Sequence, residues 1–150
     1  MSETQRELVT QEEEQGISRK VMAWINRCPI LPGEVVLVNF DQLPAASEGL
    51  MLSVVQGAYI LQSYITGGRL CEYQFSITYR VKPGNSNDAR LTADETLNAI
   101  ADWAVNNRPV LGENIRVTKV KADTRAALLV PYDNGTEDRN ILMTINYEVN

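Results

Sequence analysis

The acidic residues are the first candidates for chemistry, because this 150-residue chain contains no histidine. That absence removes the usual general base, the histidine-containing catalytic triads and the HExxH zinc sites. The chain also lacks a GxSxG elbow, an SxxK dyad, a GxxxxGK[ST] phosphate loop and a GxGxxG fingerprint. Glu34, Glu72 and Asp102 remain as carboxylates for acid/base work, but their spacing does not favour a pair. We therefore expect no enzymatic activity.

An acidic stretch near the C-terminus is the one candidate for metal binding. Asp133, Glu137 and Asp138 are close together in the chain, and such carboxylates suit calcium. The EF-hand spacing is missing, however, and the turn at Asn134-Gly135 accounts for the composition. The sequence therefore predicts neither a metal nor a cofactor.

Four basic residues within ten positions raise the question of phosphate binding. They are Arg116, Lys119, Lys121 and Arg125. Because no aromatic residues alternate with them as stacking platforms, we interpret them as a solvated strand face. The net charge of −5 comes mostly from residues 1–16, with five acids and one base, while the rest has 14 acids and 13 bases. A nearly neutral body does not favour sequence-specific binding of nucleic acid.

The composition is typical of a single soluble domain, with 44% hydrophobic and 22% charged residues. We assign the domain to residues 10–150 and an acidic leader to residues 1–9. Cys28 and Cys71 have no metal-binding or CxxC spacing and are expected to be reduced thiols. The start has no apolar signal segment, and polar residues interrupt the uncharged stretch at 49–68, so we expect neither secretion nor a membrane span.

Two helices are predicted. The first begins at Thr10, which forms a capping box with Glu13, and ends before Pro29. Thr4 with Glu7 is an alternative, earlier cap. The second covers 91–107, with a capping box of Thr92 and Glu95. The expected buried stripes contain Ile17, Val21, Trp24, Ile25 and Cys28 in the first helix, and Leu97, Ile100, Ala101 and Ala104, bordered by Trp103, in the second.

The remaining segments alternate with the period of strands. Strands are expected at 35–40, 50–56, 58–65, 70–81, 114–122, 126–131 and 140–149. Two-residue turns are predicted at Gly67-Gly68 and Asn134-Gly135. The resulting order, α-β-β-β-β-α-β-β-β, predicts an α+β fold, mainly an antiparallel β-sheet flanked by two main helices.

The hairpin at Gly67-Gly68 supplies the candidate interaction site. A two-residue turn places Tyr64 opposite Cys71 and Ile60 opposite Phe75. One side then reads as a core face: Ala58, Ile60, Tyr64, Cys71, Tyr73, Phe75, Ile77, Tyr79 and Val81. The other side is apolar only near the turn, at Tyr59, Leu61, Ile65 and Leu70. Either a helix of the same chain covers these four residues, or they form an exposed patch for subunit or partner contacts.

Residues 73–107, YQFSITYRVKPGNSNDARLTADETLNAIADWAVNN, resemble the tail terminator, or tail-completion, proteins of long-tailed siphophages. This group is often labelled phage minor capsid protein in prophages of Gram-positive bacteria. The similarity extends to LPGEVVLVNF near the first helix and to the closing ILMTINYEV. These motifs are structural and not catalytic.

The resemblance implies an α+β virion protein assembled in the bacterial host cytoplasm. It implies self-association into a hexameric ring that caps the tail tube, ends tail polymerisation and meets the head-tail connector proteins. DNA would pass through the channel of such a ring, and the apolar end of the hairpin would make the subunit contacts. The alternatives are a head-tail connector or minor capsid component, a cellular small-ligand-binding α+β domain, and an enzyme that relies on carboxylates alone.

Overall fold

The computed structural model describes residues 7–32, 38–43 and 48–150. Its helices are α1 (Gln11–Ile25) and α2 (Asn87–Asn106). Its strands are β1 (Glu7–Leu8), β2 (Asn39–Phe40), β3 (Gly49–Ser63), β4 (Arg69–Val81), β5 (Ile115–Ala122), β6 (Ala127–Pro131) and β7 (Glu137–Val149). The α+β class is confirmed. No helix among the described residues is long and apolar enough to cross a membrane.

The seven strands found among the described residues form one sheet, whose main path has the order β1-β3-β4-β7-β5. β2 pairs with the same edge of β3 as β1 does, at a different position along the strand. In the same way, β6 pairs with the edge of β7 that β5 also pairs with. Between these strands, β2 and β3 pair in parallel and the other pairings are antiparallel. The sheet thus has two composite edges, one made of β1 and β2 and the other of β5 and β6.

One face of the sheet carries the core. Cys71, Tyr73, Phe75, Ile77 and Tyr79 alternate along β4 and are all buried, as predicted. Their partners on β7 are Tyr147, Ile145, Met143, Ile141 and Arg139. Both helices pack on this face, since Trp24 of α1 meets Phe75 edge-on and Asp94 of α2 accepts from Arg139, the partner of Tyr79. The residues predicted as the buried stripe of α2 are buried. We call it the covered face, and the opposite side the open face.

The first helix begins where the sequence predicts. The side chain of Thr10 accepts a hydrogen bond of 3.2 Å from the backbone N–H of Glu13. Thr4 lies outside the described residues. Glu7 and Leu8 form β1, and Val9 donates its N–H to the carbonyl of Ala58 at 3.0 Å, so the sheet begins within the segment assigned as a leader.

The predicted start of the second helix is wrong. Ser86 caps α2, accepting from the N–H of Ala89 at 3.1 Å, six residues before Thr92. Thr92 lies inside the helix, where its carbonyl accepts from the hydroxyl of Thr96. The prediction failed because a capping-box pattern can also occur inside a helix. No residue between Asn87 and Thr92 prevents α2 from extending back to Asn87.

Two strands predicted as separate, 50–56 and 58–65, form the single strand β3. A bulge at Gln56 and Gly57 joins them, with φ values of 60° and 88°. The carboxylate of Glu14 in α1 accepts the N–H of Ala58 at 2.7 Å and so supports the bulge. The strand predicted at 35–40 lies mostly outside the described residues, which here include only Val38 and β2.

Candidate interaction surface

Both predicted turns have the wrong length. The N–H of Tyr64 donates to the carbonyl of Gly68 at 2.7 Å, and the N–H of Gly67 donates to the carbonyl of Tyr64 at 3.0 Å. Only Gly67 of the pair has a positive φ, of 95°. This is a three-residue loop with a glycine in the left-handed region, the second common hairpin connection. The turn at Tyr132–Thr136 repeats it, with Gly135 at a φ of 87°.

The longer loop changes the register of the hairpin. Ile60 lies opposite Cys71 and Ala58 opposite Tyr73, in place of the predicted pairs. Tyr64, predicted in the core face, is only half-buried, and its hydroxyl donates to Glu148 at 3.4 Å. The core face of β4 is unaffected, because each of its side chains keeps its parity along the strand.

The four predicted interface residues lie around the end of this hairpin. Ile65 is in the loop and fully exposed. Leu61 sits at a register irregularity between Ile60 and Gln62 and is exposed. Tyr59 and Leu70 are half-buried on the open face, beside Glu72 and opposite Gln62 respectively.

Neither described helix covers that patch. Because α1 and α2 both pack on the covered face, Tyr59 and Leu70 face away from them. Neither helix that the structure describes therefore fulfils the first alternative, in which a helix of the same chain covers the patch. Its other reading, a contact surface, stays a prediction.

The base of the hairpin is held by polar contacts from three elements. Arg69 pairs with Glu13 of α1, and Glu13 also accepts the hydroxyl of Tyr147 at 3.0 Å. On the open face, Glu148 accepts from Arg116 of β5 at 2.6 Å. Because the base of the hairpin is fixed by these contacts, the exposed Ile65 in its loop can bind a partner surface with little loss of conformational entropy.

The acidic stretch near the C-terminus contacts arginines. Asp138 accepts from Arg80 at 2.7 Å and from the hydroxyl of Tyr132 at 2.7 Å. Glu137 accepts from Arg139 at 2.7 Å, and Arg139 also donates to Asp94 of α2 at 2.6 Å. Asp133 alone stays exposed. The sequence analysis did not predict these buried ion pairs. One local feature could have indicated them: Glu137 and Asp138 follow directly after a turn and begin a strand.

Hydrogen bonding raises the pKa of two arginines in this network, and burial raises the pKa of two cysteines elsewhere in the core. The hydrogen bond from Arg80 to Asp138 raises the pKa of the guanidinium, and that from Arg139 to Asp94 does the same for Arg139. Desolvation raises the pKa of both buried thiols, Cys28 and Cys71. Elevated thiol pKa values are typical of structural cysteines and not of nucleophiles.

The carboxylates suggested for acid/base work do not meet. Glu72 is on the open face and Asp102 is exposed on α2, so the sheet separates them. Glu34 lies outside the described residues. The basic residues Arg116, Lys119, Lys121 and Arg125 are all exposed along β5 and the segment after it.

A groove of about 570 Å³ lies between α1 and the strands β2 and β3. Its lining includes Glu14, Ser18, Met22, Phe40 and Asp41. Glu14 is already bonded to the backbone of Ala58, and Ser18 lies 2.9 Å from the hydroxyl of Tyr73. Glu14 and Ser18 thus already have hydrogen-bond partners within the protein. This does not favour a binding site for a polar small molecule.

No protein-family model matches this chain, and no curated protein matches its sequence. Among solved structures, a chain from the virion of a native gene transfer agent particle aligns with 15% identity and a TM-score of 0.58. The alignment covers 88% of this chain and 97% of the other. A second solved chain is 17% identical over 95% of this chain and 96% of its own, with a TM-score of 0.47. The first match shows a shared fold over nearly the whole of both chains.

Proposed function

We propose that this chain is a structural virion protein of a phage or prophage, without enzymatic activity. The observation that carries the proposal is the fold shared with a chain of a gene transfer agent virion, over 97% of that chain. The resemblance of residues 73–107 to siphophage tail terminators leads to the same class of particle. Its partners are then other virion proteins, and its place is the assembled particle.

Within that class, the role we propose is that of a tail terminator. Copies form a hexameric ring that caps the tail tube, ends its polymerisation and meets the head-tail connector. The exposed end of the hairpin, with Leu61 and the fully exposed Ile65, supports a contact role, because covering apolar side chains with a neighbouring chain removes them from water and is favourable. A nearly neutral chain body is compatible with a channel that must let DNA slide.

The test is assembly. Light scattering and negative-stain images of the purified chain should show six-fold rings, and adding the chain to polymerising tail tube protein should limit tube length. A head-tail connector, the competing role, would bind the portal side and leave tube growth unchanged. A chain that stays monomeric at high concentration, and that binds neither tube nor connector, contradicts the proposal.

A further inference from the structure

The two composite edges of the sheet line up row by row. Across the sheet, Asn39 of β2 is in register with Met51, Thr78, Asn140 and finally Ala127 of β6. A second row runs from Leu8 of β1 through Tyr59, Glu72 and Asn146 to Lys119 of β5. Thus β2 and β6 mark one end of the sheet, and β1 and β5 mark the other, the end with the Tyr64–Gly68 loop.

Each edge exposes apolar side chains. On β6, Leu128 and Leu129 are 49% and 55% exposed. On the opposite edge, Leu8 of β1 and Phe40 of β2 are 59% and 42% exposed. Exposed apolar residues on edge strands invite pairing with another chain, and natural edges usually carry charges that prevent it. Here the charged residues of the two edges are of opposite sign.

The strands β5 and β6 with their joining segment, residues 115–131, contain four basic residues and one acidic residue. The described residues of the other side, 7–8, 38–43 and 48–63, contain three acidic residues and no basic one. The acids are Glu7, Asp41 and Glu48, and all three are exposed. With the pair of Arg116 and Glu148 set aside, the β5 and β6 side still has three basic residues to one acidic residue. One side of the sheet is therefore positive and the other negative, which favours contact between unlike edges and disfavours contact between like edges.

The strand directions are compatible with such a contact. β6 runs antiparallel to β7, β7 to β4, and β4 to β3, while β2 runs parallel to β3. A copy placed beside the first in the same orientation therefore brings its β2 alongside β6 in the antiparallel sense, at the same level of the sheet. We propose that a second copy of this chain docks there, with its β1 and β2 edge against the β5 and β6 edge of the first.

Such a contact is heterologous, since it joins two different surfaces of identical chains. Repeated around an axis roughly parallel to the strands, it closes into a ring and leaves no edge open. The inference rests on the proposed function for the fact of self-association and names the surface that produces it. The hairpin end lies at the same end of the sheet as β1 and β5, so the exposed Leu61 and Ile65 extend this contact surface.

Two variants each disable one edge. Leu128→Asp with Leu129→Asp puts acids on the positive edge, and Leu8→Lys with Phe40→Lys puts bases on the negative edge. Each variant alone should sediment as the 16.8 kDa monomer. Leu91→Asp is the matched control, because Leu91 is 60% exposed but lies on the helix α2 and not on an edge strand. It should keep the wild-type mass, and circular dichroism should show that all three variants fold.

Mixing the two edge variants is the decisive step. Each retains the edge that the other has lost, so the mixture should form complexes containing both in equal numbers, with at least twice the chain mass. The wild-type assembly should also weaken as salt is raised, since the exposed charges are then screened.

The possible results separate the inference from the proposed function. A wild-type chain that never associates contradicts self-assembly itself. A wild-type chain that associates, with edge variants of unchanged mass, overturns the docking surface and leaves the ring intact. Two monomeric variants that do not combine when mixed also overturn it.

Discussion

Trp24 of α1 and Trp103 of α2 stack with ring centroids 5.7 Å apart and ring planes 29° apart. Trp24 also packs edge-on against Phe75 of β4, and its indole N–H donates to the carbonyl of Asn107 at 2.6 Å. One buried side chain thereby joins both helices to the sheet and holds the end of α2. Much of the packing between the helical layer and the sheet depends on this position.

Replacing Trp24 by alanine should lower the free energy of unfolding by about 3–5 kcal/mol, because a large buried ring leaves a cavity. Trp103→Ala should cost less, since that ring is partly exposed. Urea denaturation followed by circular dichroism measures both. Equal losses would mean that the stack, and not the burial of Trp24, determines the stability.

The pair of Arg80 and Asp138 should be worth more than an exposed pair. Both side chains are largely buried, at 13% and 5% exposure. Asp138→Asn leaves a buried guanidinium without its counter-charge and should cost about 3–5 kcal/mol. Glu148→Gln, which weakens the pair with the exposed Arg116, should cost much less. Chemical denaturation at neutral pH compares the two variants, and similar losses would contradict the assignment.

Alkaline pH should unfold the protein through its buried tyrosines. Desolvation raises the pKa of Tyr73 from 10.0 to about 12 and raises the pKa of Tyr147 as well. The folded state therefore keeps these protons when the unfolded state releases them. The stability from Tyr73 is complete below pH 10 and is lost between pH 10 and about pH 12.

The loss for one tyrosine in that window is about 1.4 kcal/mol per pH unit. Tyr73→Phe should flatten the decline measured by urea denaturation at a series of pH values, although it also removes the partner of Ser18. An unchanged slope in the variant would show that another group controls the alkaline transition.

The hairpin end is tested by Leu61→Asp with Ile65→Asp. We expect a folded chain that fails to join rings, because two new charges would have to be desolvated in the contact. Val110→Asp is the control, since Val110 is highly exposed but outside the hairpin and should tolerate the charge. Light scattering gives the mass of each variant, and a ring that persists in the double variant refutes a subunit contact at this site.

The sequence predicts the helices and the core better than it predicts the loops. Periodicity identifies the buried side chains of β4 and α2 correctly, since each set follows from a single repeat along one element. Gly67 and Gly68 predict a turn but not its length, because two adjacent residues that tolerate positive φ leave open which of them adopts it. The structure uses Gly67 alone, and this shifts every pair of the hairpin.

The bulge at Gln56 could not be predicted from local pattern. A glutamine with a φ of 60° is unfavourable on its own, and its support comes from Glu14, more than forty positions away in the chain. The interface residues show the same limit, because exposure depends on which face the helices occupy. Opposite charges on opposite edges become visible only once the strand order is known.

Two hydroxyl groups determine where α1 rests on the sheet. Ser18 lies within hydrogen-bond distance of the hydroxyl of Tyr73, and Glu13 accepts a hydrogen bond from the hydroxyl of Tyr147. If α1 shifted along the sheet by one helical turn, about 5.4 Å, both tyrosine hydroxyls would lose their hydrogen-bond partners while remaining buried. These hydrogen bonds therefore favour one position of α1 along the sheet. Because β1 directly precedes α1, they also fix the position of β1 at the sheet edge.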